Sequence, residues 1–376
     1  MNVNIMKSPS QQAATQVRAG IRTATRGLVG RDQLAELIML AAVAQEHLLV
    51  VGPPGTAKSA VVRRVAQGMG GRYFEYLLGR FTEPSELFGP VDLRKLREGT
   101  VETDTAGMLP EADVVFLDEI FLGSTAILNT LLGVLNERRF RRGHTQMRCP
   151  LRVCVGAANA LPDDPALAAF GDRFLLHTFV EPVADHQLED LLAGGWQAED
   201  AAPESAMRLA DLDTLCAAVK GVRMDAVRPL LADAIRQLRG AGISLSDRRI
   251  VKSQRLIAAA AALAGRDEAG EADLWPLLYV LPTQEAQQTA RETLRERLAA
   301  SANPTLASAV ETAAVQPLSR VARLLESAEA CLADPDGGAA VEALLREIDA
   351  NFDAASLPET LANARQELAA RLTVAA

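Results

Sequence analysis

Residues 48–59 read LLVVGPPGTAKS, and this stretch decides the fold. Its four leading apolar residues predict a buried strand, and the residues that follow place Val61, Val62 and Val65 on one face of a helix. A glycine-containing loop between a strand and a helix can turn its backbone N–H groups toward an anion, and the helix N-terminus adds to the attraction. The stretch therefore predicts a phosphate-binding loop.

Two residues of this loop have a specific chemical assignment. Lys58 would reach the β- and γ-phosphates of a nucleotide, and the Ser59 hydroxyl would bind Mg²⁺. Ala57 stands where such loops usually carry glycine, and because its Cβ resists positive φ we expect it at negative φ. The alternative, a Gly/Pro turn before an ordinary helix, is disfavoured by the Lys-Ser pair at the helix start.

The segment before the first strand is the candidate adenine pocket, with Val29 and Gly30 as its residues; a simple turn is the alternative. The predicted cofactors are ATP or ADP together with Mg²⁺. The predicted nucleotide-binding residues are Val29, Gly30, Gly52, Pro53, Pro54, Gly55, Thr56, Ala57, Lys58, Ser59 and Ala60.

A second chemical pattern, VVFLDE, occupies residues 114–119. Its apolar residues predict a buried strand, and ligands of parallel α/β sheets bind at the carboxyl ends of the strands. Asp118 can hold Mg²⁺ through water, and Glu119 can orient and deprotonate an attacking water. Asn159 follows another apolar stretch and can hydrogen-bond the γ-phosphate or that water. Helix-capping acids and a turn asparagine are the alternatives.

Arginines later in the chain are candidates for contacts with phosphate. Arg173 is a candidate arginine finger, and a surface salt bridge is its alternative role. The tetrapeptide SDRR at residues 246–249 predicts a helix start, with Ser246 as its cap. Because a cation at a helix N-terminus is unfavourable to the macrodipole, an arginine there indicates a ligand role.

The composition of the 376 residues restricts the class of protein. Hydrophobic residues make up 49%, enough for a packed core, whereas aromatic residues make up 4%, so the core consists of Ala, Leu and Val. The formal net charge of −9 argues against a general attraction to nucleic acid. The longest apolar runs are too short to cross a bilayer, and the N-terminus lacks a signal-peptide pattern. We therefore expect a soluble cytoplasmic protein whose four cysteines are small buried hydrophobes.

Changes in pattern divide the chain into five expected segments. They are an N-terminal lead-in (1–27, of which 1–17 fray), an α/β domain (28–182), a linker (183–203), an all-α domain (204–283) and a C-terminal helical bundle (284–376). The bundle is expected from three amphipathic patterns between residues 318 and 372. Within the α/β domain, Asp32 is a possible cap of a helix over 32–44, residues 91–108 predict a hairpin or loop, and residues 139–148 predict a hairpin.

The order of these patterns resembles the MoxR family of AAA+ ATPases, within the helix-two-insert branch, and most closely the RavA-type subgroup. The resemblance covers residues 28 to about 282. It is carried by GPPGTAKS (52–59), FEYLLGRFTEPSELFGP (74–90), LPEADVVFLDEIF (109–121), ILNTLLGVLNERRFRRG (127–143), AANALP (157–162), DRF (172–174) and SDRR (246–249).

The resemblance implies specific roles for the candidate residues. Lys58 and Ser59 resemble Walker A, and Asp118 and Glu119 resemble Walker B. The implied catalytic residues are Glu119, Asn159 as sensor 1, Arg173 as the finger on a neighbour's ATP, and Arg248 as sensor 2 with Arg249 as its alternative. The implied Mg²⁺ ligands are Ser59 and Asp118, residues 90–109 resemble the helix-two insert, and residues 139–151 resemble the hairpin before sensor 1.

The implied fold is an AAA+ P-loop NTPase of the α/β class, with helices on both faces of a parallel sheet, an all-α lid domain and a C-terminal helical bundle. The implied function is ATP-driven remodelling or maturation of client proteins by a ring of identical subunits, usually a hexamer. Such rings typically work with a partner that carries a von Willebrand factor A (VWA) domain. RavA-type proteins carry a β-rich module in their C-terminal region, whereas this chain shows only helical patterns there. A magnesium-chelatase-type motor subunit and a nucleotide-gated scaffold with little turnover are the alternative functions.

Overall fold

The computed structural model of the chain describes residues 8–198, 207–314, 324–325, 327–329, 331–332, 338–351 and 358–375. Its strands are β1 (Leu48–Val51), β2 (Tyr73–Leu77), β3 (Val114–Asp118), β4 (Arg139–Arg142), β5 (Thr145–Arg148), β6 (Val153–Ala158) and β7 (Leu176–Phe179). The end of the expected linker and most of the first expected helix of the tail lie outside the described residues.

Five of the strands form one parallel sheet in the order β2-β3-β6-β1-β7. Strands β1 and β6, which are neighbours in the interior of the sheet, are buried along their whole length, as continuous apolar strands of parallel sheets are. Successive residues of β1 face opposite sides: Leu48 and Val50 belong to one hydrophobic cluster, and Leu49 and Val51 to another. The predicted parallel sheet is confirmed, and each face has its own core.

Helices cover both faces of this sheet. In the α/β part they are α1 (Pro9–Thr25), α2 (Asp32–Ala44), α3 (Lys58–Met69), α4 (Pro84–Phe88), α5 (Leu93–Arg97), α6 (Thr125–Glu137), α7 (Pro165–Gly171) and α8 (Leu188–Ala198). Helices α1 to α3 contribute to the first cluster, and α6 and α7 contribute to the second. The predicted hairpin is strands β4 and β5, which pair from Arg139 with Arg148 to Arg142 with Thr145.

The prediction that residues 1–17 fray is wrong for the described part of that segment. A capping box between Ser8 and Gln11 begins helix α1. The helix buries Ala13, Ala14 and Val17 against the rest of the first core. The segment looks polar because its buried face consists mainly of alanines, which add little apolar signal to a sequence.

Three further local predictions need correction. Asp32 is the first residue of α2 rather than its cap; the N-cap position is held by Arg31, which makes no side-chain capping bond. The expected linker contains helix α8. Residues 91–108, expected as a hairpin or loop, contain helix α5, whose N-cap Asp92 accepts from two backbone N–H groups, and an isolated antiparallel bridge joins Val91 to Thr103.

The rest of the described chain is helical. These helices are α9 (Leu209–Gly221), α10 (Val227–Gly240), α11 (Asp247–Leu263), α12 (Pro276–Tyr279), α13 (Gln284–Thr293), α14 (Arg295–Leu298), α15 (Ala307–Ala314), α16 (Gly338–Asn351) and α17 (Glu359–Ala375). The core does not divide at the expected boundary of 283/284, because Ala290, Leu298 and Val310 pack in the same cluster as α11. A separate small cluster unites α16 and α17 through Val341, Leu361 and their neighbours.

A buried carboxylate attaches α15 to α2. Glu36 accepts hydrogen bonds from the backbone N–H groups of Ser308 (3.2 Å) and Ala309 (2.6 Å) at the start of α15. The pKa of Glu36 is raised to about 8, mainly by burial; the Asp32 carboxylate also raises it, and the hydrogen bonds from Ser308 and Ala309 lower it. Charged residues that line the adjoining cleft are Arg18, Arg22 and Asp32.

Across the described residues, no helix is both long enough and apolar enough to cross a membrane.

Candidate active site

The carboxyl ends of three adjacent strands bring the predicted site residues to one edge of the sheet. Strand β1 leads into the phosphate-binding loop, β3 ends at Asp118, and β6 between them ends one residue before Asn159. The registers align Val51 with Ala158 and Phe116 with Val155, so the three ends lie side by side. Because the strands are parallel and adjacent, motifs far apart in sequence converge at this edge.

The start of the loop is a close backbone contact that only glycine allows. Gly52 donates its N–H to the carbonyl of Ala158 at 3.0 Å. A Cβ built on Gly52 would lie 2.2 Å from the carbonyl oxygen of Val180, well inside contact distance. Gly55 has φ +78 and open space around it. A side chain would therefore fit there, but the positive φ favours glycine.

The expectation that Ala57 lies at negative φ is wrong. Ala57 has φ 60 and ψ 22, in the left-handed region, and it occupies the N-cap position of α3. The chain therefore keeps the backbone conformation that a glycine would adopt at this position. A Cβ makes that conformation unfavourable, and such strained residues cluster at functional sites.

Lys58 points back over the loop. Its ammonium donates to the carbonyl oxygens of Gly52 and Pro53 at 2.7 and 2.9 Å. Burial lowers the pKa of Lys58, and the carboxylates of Asp118 and Glu119 act in the opposite direction. The opposing carboxylates show that the loop lysine and the two acids lie within electrostatic reach of each other.

Glu119 and Asn159 are in direct contact. The Asn159 side-chain amide donates to Glu119 Oε1 at 2.5 Å, and the Glu119 N–H donates to Asp118 Oδ1 at 3.0 Å. Glu119 has φ 49, a left-handed conformation that is rare for glutamate, at the turn after β3. This turn aims the carboxylate at the neighbouring strand's asparagine, which can hold it in position for proton transfer.

The residues present fit a nucleotide with its metal. Gly52 lets the backbone approach closely, and the left-handed Gly55 and Ala57 shape the loop ahead of the helix N-terminus. Ser59, in the first turn of α3, and Asp118 supply hydroxyl and carboxylate oxygens, the ligands that Mg²⁺ prefers. These two residues would hold the metal, and Lys58 would face the phosphates.

One further residue of this site, Arg31, could not be predicted from the sequence patterns. Its guanidinium is buried and donates to three carbonyl oxygens: Thr56 at 2.8 Å, Gly30 at 2.9 Å and Glu181 at 3.0 Å. These carbonyls belong to the phosphate-binding loop, to the segment before α2 and to the chain leaving β7. A lone arginine after a glycine gives no signal in the sequence, because all but one of its partners are distant along the chain.

A cleft of about 430 Å³ adjoins Arg31 and is the candidate base pocket. Gly30 lines this cleft and Val29 is not among its lining residues, and the assignment of Gly30 to an adenine pocket stays a prediction. Glutamine side chains form much of its polar surface, namely Gln33, Gln187, Gln284, Gln287 and Gln288. Because α13 and the residues after β7 both contribute, the cleft lies between the α/β part and the helical part.

Arg173 and Arg248 lie at the opposite edge of the sheet from Lys58. Arg173 precedes β7 and therefore lies at its amino end, and its Nε is buried without a hydrogen-bond partner among the described residues. Arg248 donates to Asn136 in the last turn of α6 at 2.6 Å, and the adjacent Leu135 carbonyl contacts His47, just before β1. Strand β1 alone separates the two edges by about 10 Å. Within one chain, the two arginines are thus not brought to the phosphate-binding loop.

Arg249, the alternative to Arg248, is fully engaged inside the protein. It is 3% exposed and donates to Asp172, to the carbonyls of Phe174 and Val280, and to His177 Nδ1. Burial lowers the pKa of Arg249 and holds that of His177 well below its ordinary value, so the histidine is neutral and accepts the bond. These contacts give Arg249 a structural role between α11 and β7.

Two family profiles match the chain. Residues 15–217 match the MoxR domain of the MoxR–vWA–β-propeller ternary systems, and residues 227–294 match an AAA lid domain. The first match covers more than half of the chain and contains the whole sheet. The second covers helices α10 to α13.

Relatives and a solved structure agree with these matches. Two uncharacterised proteins of Methanocaldococcus jannaschii are 33% and 34% identical over 255 and 251 residues, in each case 66% of this chain and about two thirds of the relative. Chaperone MoxR1 of Mycobacterium tuberculosis is 30% identical over 154 residues, 40% of either chain.

The crystal structure of a candidate ATPase from Cytophaga hutchinsonii matches with a TM-score of 0.63, over 78% of this chain and 97% of that one. Its 16% identity supports the fold alone. The extent of the MoxR-domain match shows more: the protein belongs to the MoxR family of AAA+ ATPases.

Proposed function

We propose that the protein is a Mg²⁺-dependent ATPase that hydrolyses ATP in a ring of identical subunits and uses it to remodel or mature partner proteins. The observation that carries the hydrolytic part is the 2.5 Å hydrogen bond from Asn159 to Glu119, beside Asp118 and opposite Lys58. A protein that only bound nucleotide would have no use for a positioned carboxylate at this place.

The proposed catalysis is positional and electrostatic. Lys58 neutralises charge on the phosphates, and the loop N–H groups orient them. Glu119, held by Asn159, accepts the proton of the attacking water. Bound Mg²⁺, on Ser59 and Asp118, would supply charge neutralisation between the phosphates.

The position of the two arginines supports a shared site between subunits. Arg173 and Arg248 lie at the sheet edge away from their own phosphate-binding loop, so both would act on a neighbour's nucleotide. In a head-to-tail ring, the edge with Lys58 in one subunit faces the edge with the arginines in the next. This arrangement supports a homo-oligomer, with a hexamer as the expected size.

The partner is inferred from the family. The matching profile is that of a MoxR domain from systems that also contain a vWA protein, and this supports a VWA-domain partner for the chain. A protein client follows from the same family, and one relative is named a chaperone. The RavA-type subgroup and the cytoplasmic location stay predictions.

Glu119→Gln tests the proposed hydrolysis. We expect this variant to bind MgATP and to lose nearly all turnover, because an amide cannot accept the proton, whereas Lys58→Ala should lose nucleotide binding itself. Binding is measured by calorimetry and turnover by phosphate release, with far-ultraviolet circular dichroism as the check on folding. Turnover near that of the wild type in Glu119→Gln would remove the assignment of the base. A wild-type protein that binds MgATP without turnover would instead support the scaffold.

A further inference from the structure

The left-handed backbone of Ala57 requires a partner that imposes it. Ala57 has φ 60 at the start of α3, immediately before Lys58. A residue with a Cβ keeps this conformation only where its surroundings determine it. The contacts of the preceding peptide therefore decide whether the loop holds its shape.

Arg31 makes that contact. Its Nε donates to the Thr56 carbonyl at 2.8 Å, and its two terminal nitrogens donate to the Gly30 and Glu181 carbonyls at 2.9 and 3.0 Å. The bonds to Thr56 and Glu181 reach distant chain segments, whereas Gly30 directly precedes Arg31, and a guanidinium holds its donors in one rigid plane. Arg31 therefore connects the loop to its own segment before α2 and to the chain that follows β7.

The geometry of the peptide unit links this bond to the site. The peptide between Thr56 and Ala57 is planar and trans, so its C=O and N–H point in opposite directions. Because the carbonyl is directed at Arg31, the N–H of Ala57 is directed away from it. Fixing the carbonyl thus also fixes the direction of a loop N–H group and the start of the helix that carries Lys58.

Arg31 is also charged and enclosed. It is 7% exposed, and within the described part of the chain it forms no ion pair and contacts neutral carbonyls. It lies near enough to Lys58 to contribute to the lowering of the lysine pKa, which burial dominates. An arginine held so close to the loop adds positive charge beside the place proposed for the phosphates.

We propose that Arg31 is a positioning residue of the phosphate-binding loop: it holds the Thr56–Ala57 peptide in the left-handed arrangement that a glycine at position 57 would adopt unaided. This inference rests on the proposed function of the loop as a nucleotide site. It predicts that the loss of nucleotide affinity on substituting Arg31 depends on which residue stands at position 57.

A double-mutant cycle with MgADP as the probe tests this dependence. The four proteins are the wild type, Arg31→Gln, Ala57→Gly and the double variant, with binding measured by calorimetry. Arg31→Gln should weaken MgADP binding about tenfold or more, since hydrogen bonds from charged groups are the stronger class. The affinity of Ala57→Gly is the reference for the glycine background, because glycine adopts the left-handed conformation without a steric cost. In the glycine background, the loss of Arg31 should weaken binding at most about threefold.

The kinetic readout separates positioning from general stability. When turnover is measured over a range of MgATP concentrations, the kcat of Arg31→Gln should fall by a smaller factor than its KM rises, because the catalytic carboxylate and asparagine are untouched. Arg31→Lys should restore part of the affinity, since it keeps the charge and one donor but loses the fork. If the role of Arg31 were purely structural, its loss would lower the amount of folded protein without changing KM more than kcat. Glycine at position 57 would then not restore MgADP affinity.

The outcomes separate this inference from the function on which it rests. Equal losses of affinity on removing Arg31 in both backgrounds, or wild-type affinity in Arg31→Gln, would overturn the positioning role. If Arg31→Gln does not fold, Arg31→Lys takes its place in both backgrounds. Equal losses of MgADP affinity with alanine and with glycine at position 57 would then overturn the inference as well. Failure of the wild type to bind MgADP, or unchanged binding in Lys58→Ala, would instead refute the nucleotide site.

Discussion

Arg173→Ala tests whether the active site is shared between subunits. Arg173 precedes β7 at the amino edge of the sheet, whereas Lys58 follows β1 at the carboxyl edge. Three residue steps along β1 already amount to about 10 Å, before the loop itself is counted. Arg173 is therefore placed away from the phosphate-binding loop of its own subunit.

The expected losses are large and differ in kind. An arginine finger supplied by a neighbour is worth about 10³ to 10⁵ in rate, so a homogeneous Arg173→Ala ring should bind MgATP and show almost no turnover. A homogeneous Lys58→Ala ring should be inactive because it cannot bind nucleotide. Each variant, however, keeps the residue that the other lacks.

Mixing the two variants gives a quantitative expectation. In randomly mixed rings at equal amounts, half of the subunits carry an intact Lys58, and half of their neighbours carry an intact Arg173. About one interface in four then has both residues, so activity should recover to about a quarter of the wild-type value. The assay is phosphate release, with native mass spectrometry to confirm that the rings contain both variants.

Mixed rings as inactive as either parent would refute the shared site. A matched control mixes Lys58→Ala with Glu119→Gln, whose two defects both concern the nucleotide-binding edge. That mixture should stay inactive, because no interface combines an intact loop with an intact base in one subunit. Recovery in the control would show that the assay measures something other than the proposed arrangement.

Two further predictions concern the fold around the site. Gly52→Ala should abolish MgADP binding, measured by calorimetry, because its Cβ would lie 2.2 Å from the Val180 carbonyl oxygen. The control Gly195→Ala, with open space around it, should bind MgADP normally. Normal binding in both variants would contradict the proposed contact. Glu36 has its pKa raised to about 8, so its contribution to stability should be complete below about pH 4.5 and be lost as the pH rises through 8. The melting temperature of the wild type should fall across that window and that of Glu36→Gln should not; parallel curves would contradict it.

The sheet and the convergence of its motifs could be predicted because the signals are local. Strands β1, β3 and β6 are short apolar runs, and the residues of the site come after these runs in the chain, as Asp118 follows residues 114–117. The parallel fold then determines that strand ends meet at one edge. The contact between Glu119 and Asn159 follows from that rule and from the adjacency of β3 and β6.

The wrong predictions involve contacts between distant residues. Ala57 takes a left-handed conformation next to Thr56, whose carbonyl accepts a hydrogen bond from Arg31, 25 residues earlier in the chain. Helix α1 is stabilised by packing on α9 and α3, and its buried alanines give no sequence pattern that would predict this packing. The two arginines of SDRR are adjacent in sequence, and only the fold shows that Arg249 is enclosed whereas Arg248 reaches α6.

The enclosed guanidinium of Arg249 limits how this molecule can move. It connects α11 to the chain entering β7 through Asp172, Phe174 and His177, and to the chain after α12 through Val280. A hinge at this point would leave a charge and several carbonyls buried without partners, at a cost of about 3–5 kcal/mol or more. The α/β part and the helices on α11 are therefore held together at this point by contacts that are costly to break. A movement of these two parts against each other would have to pivot about Arg249 or break its contacts.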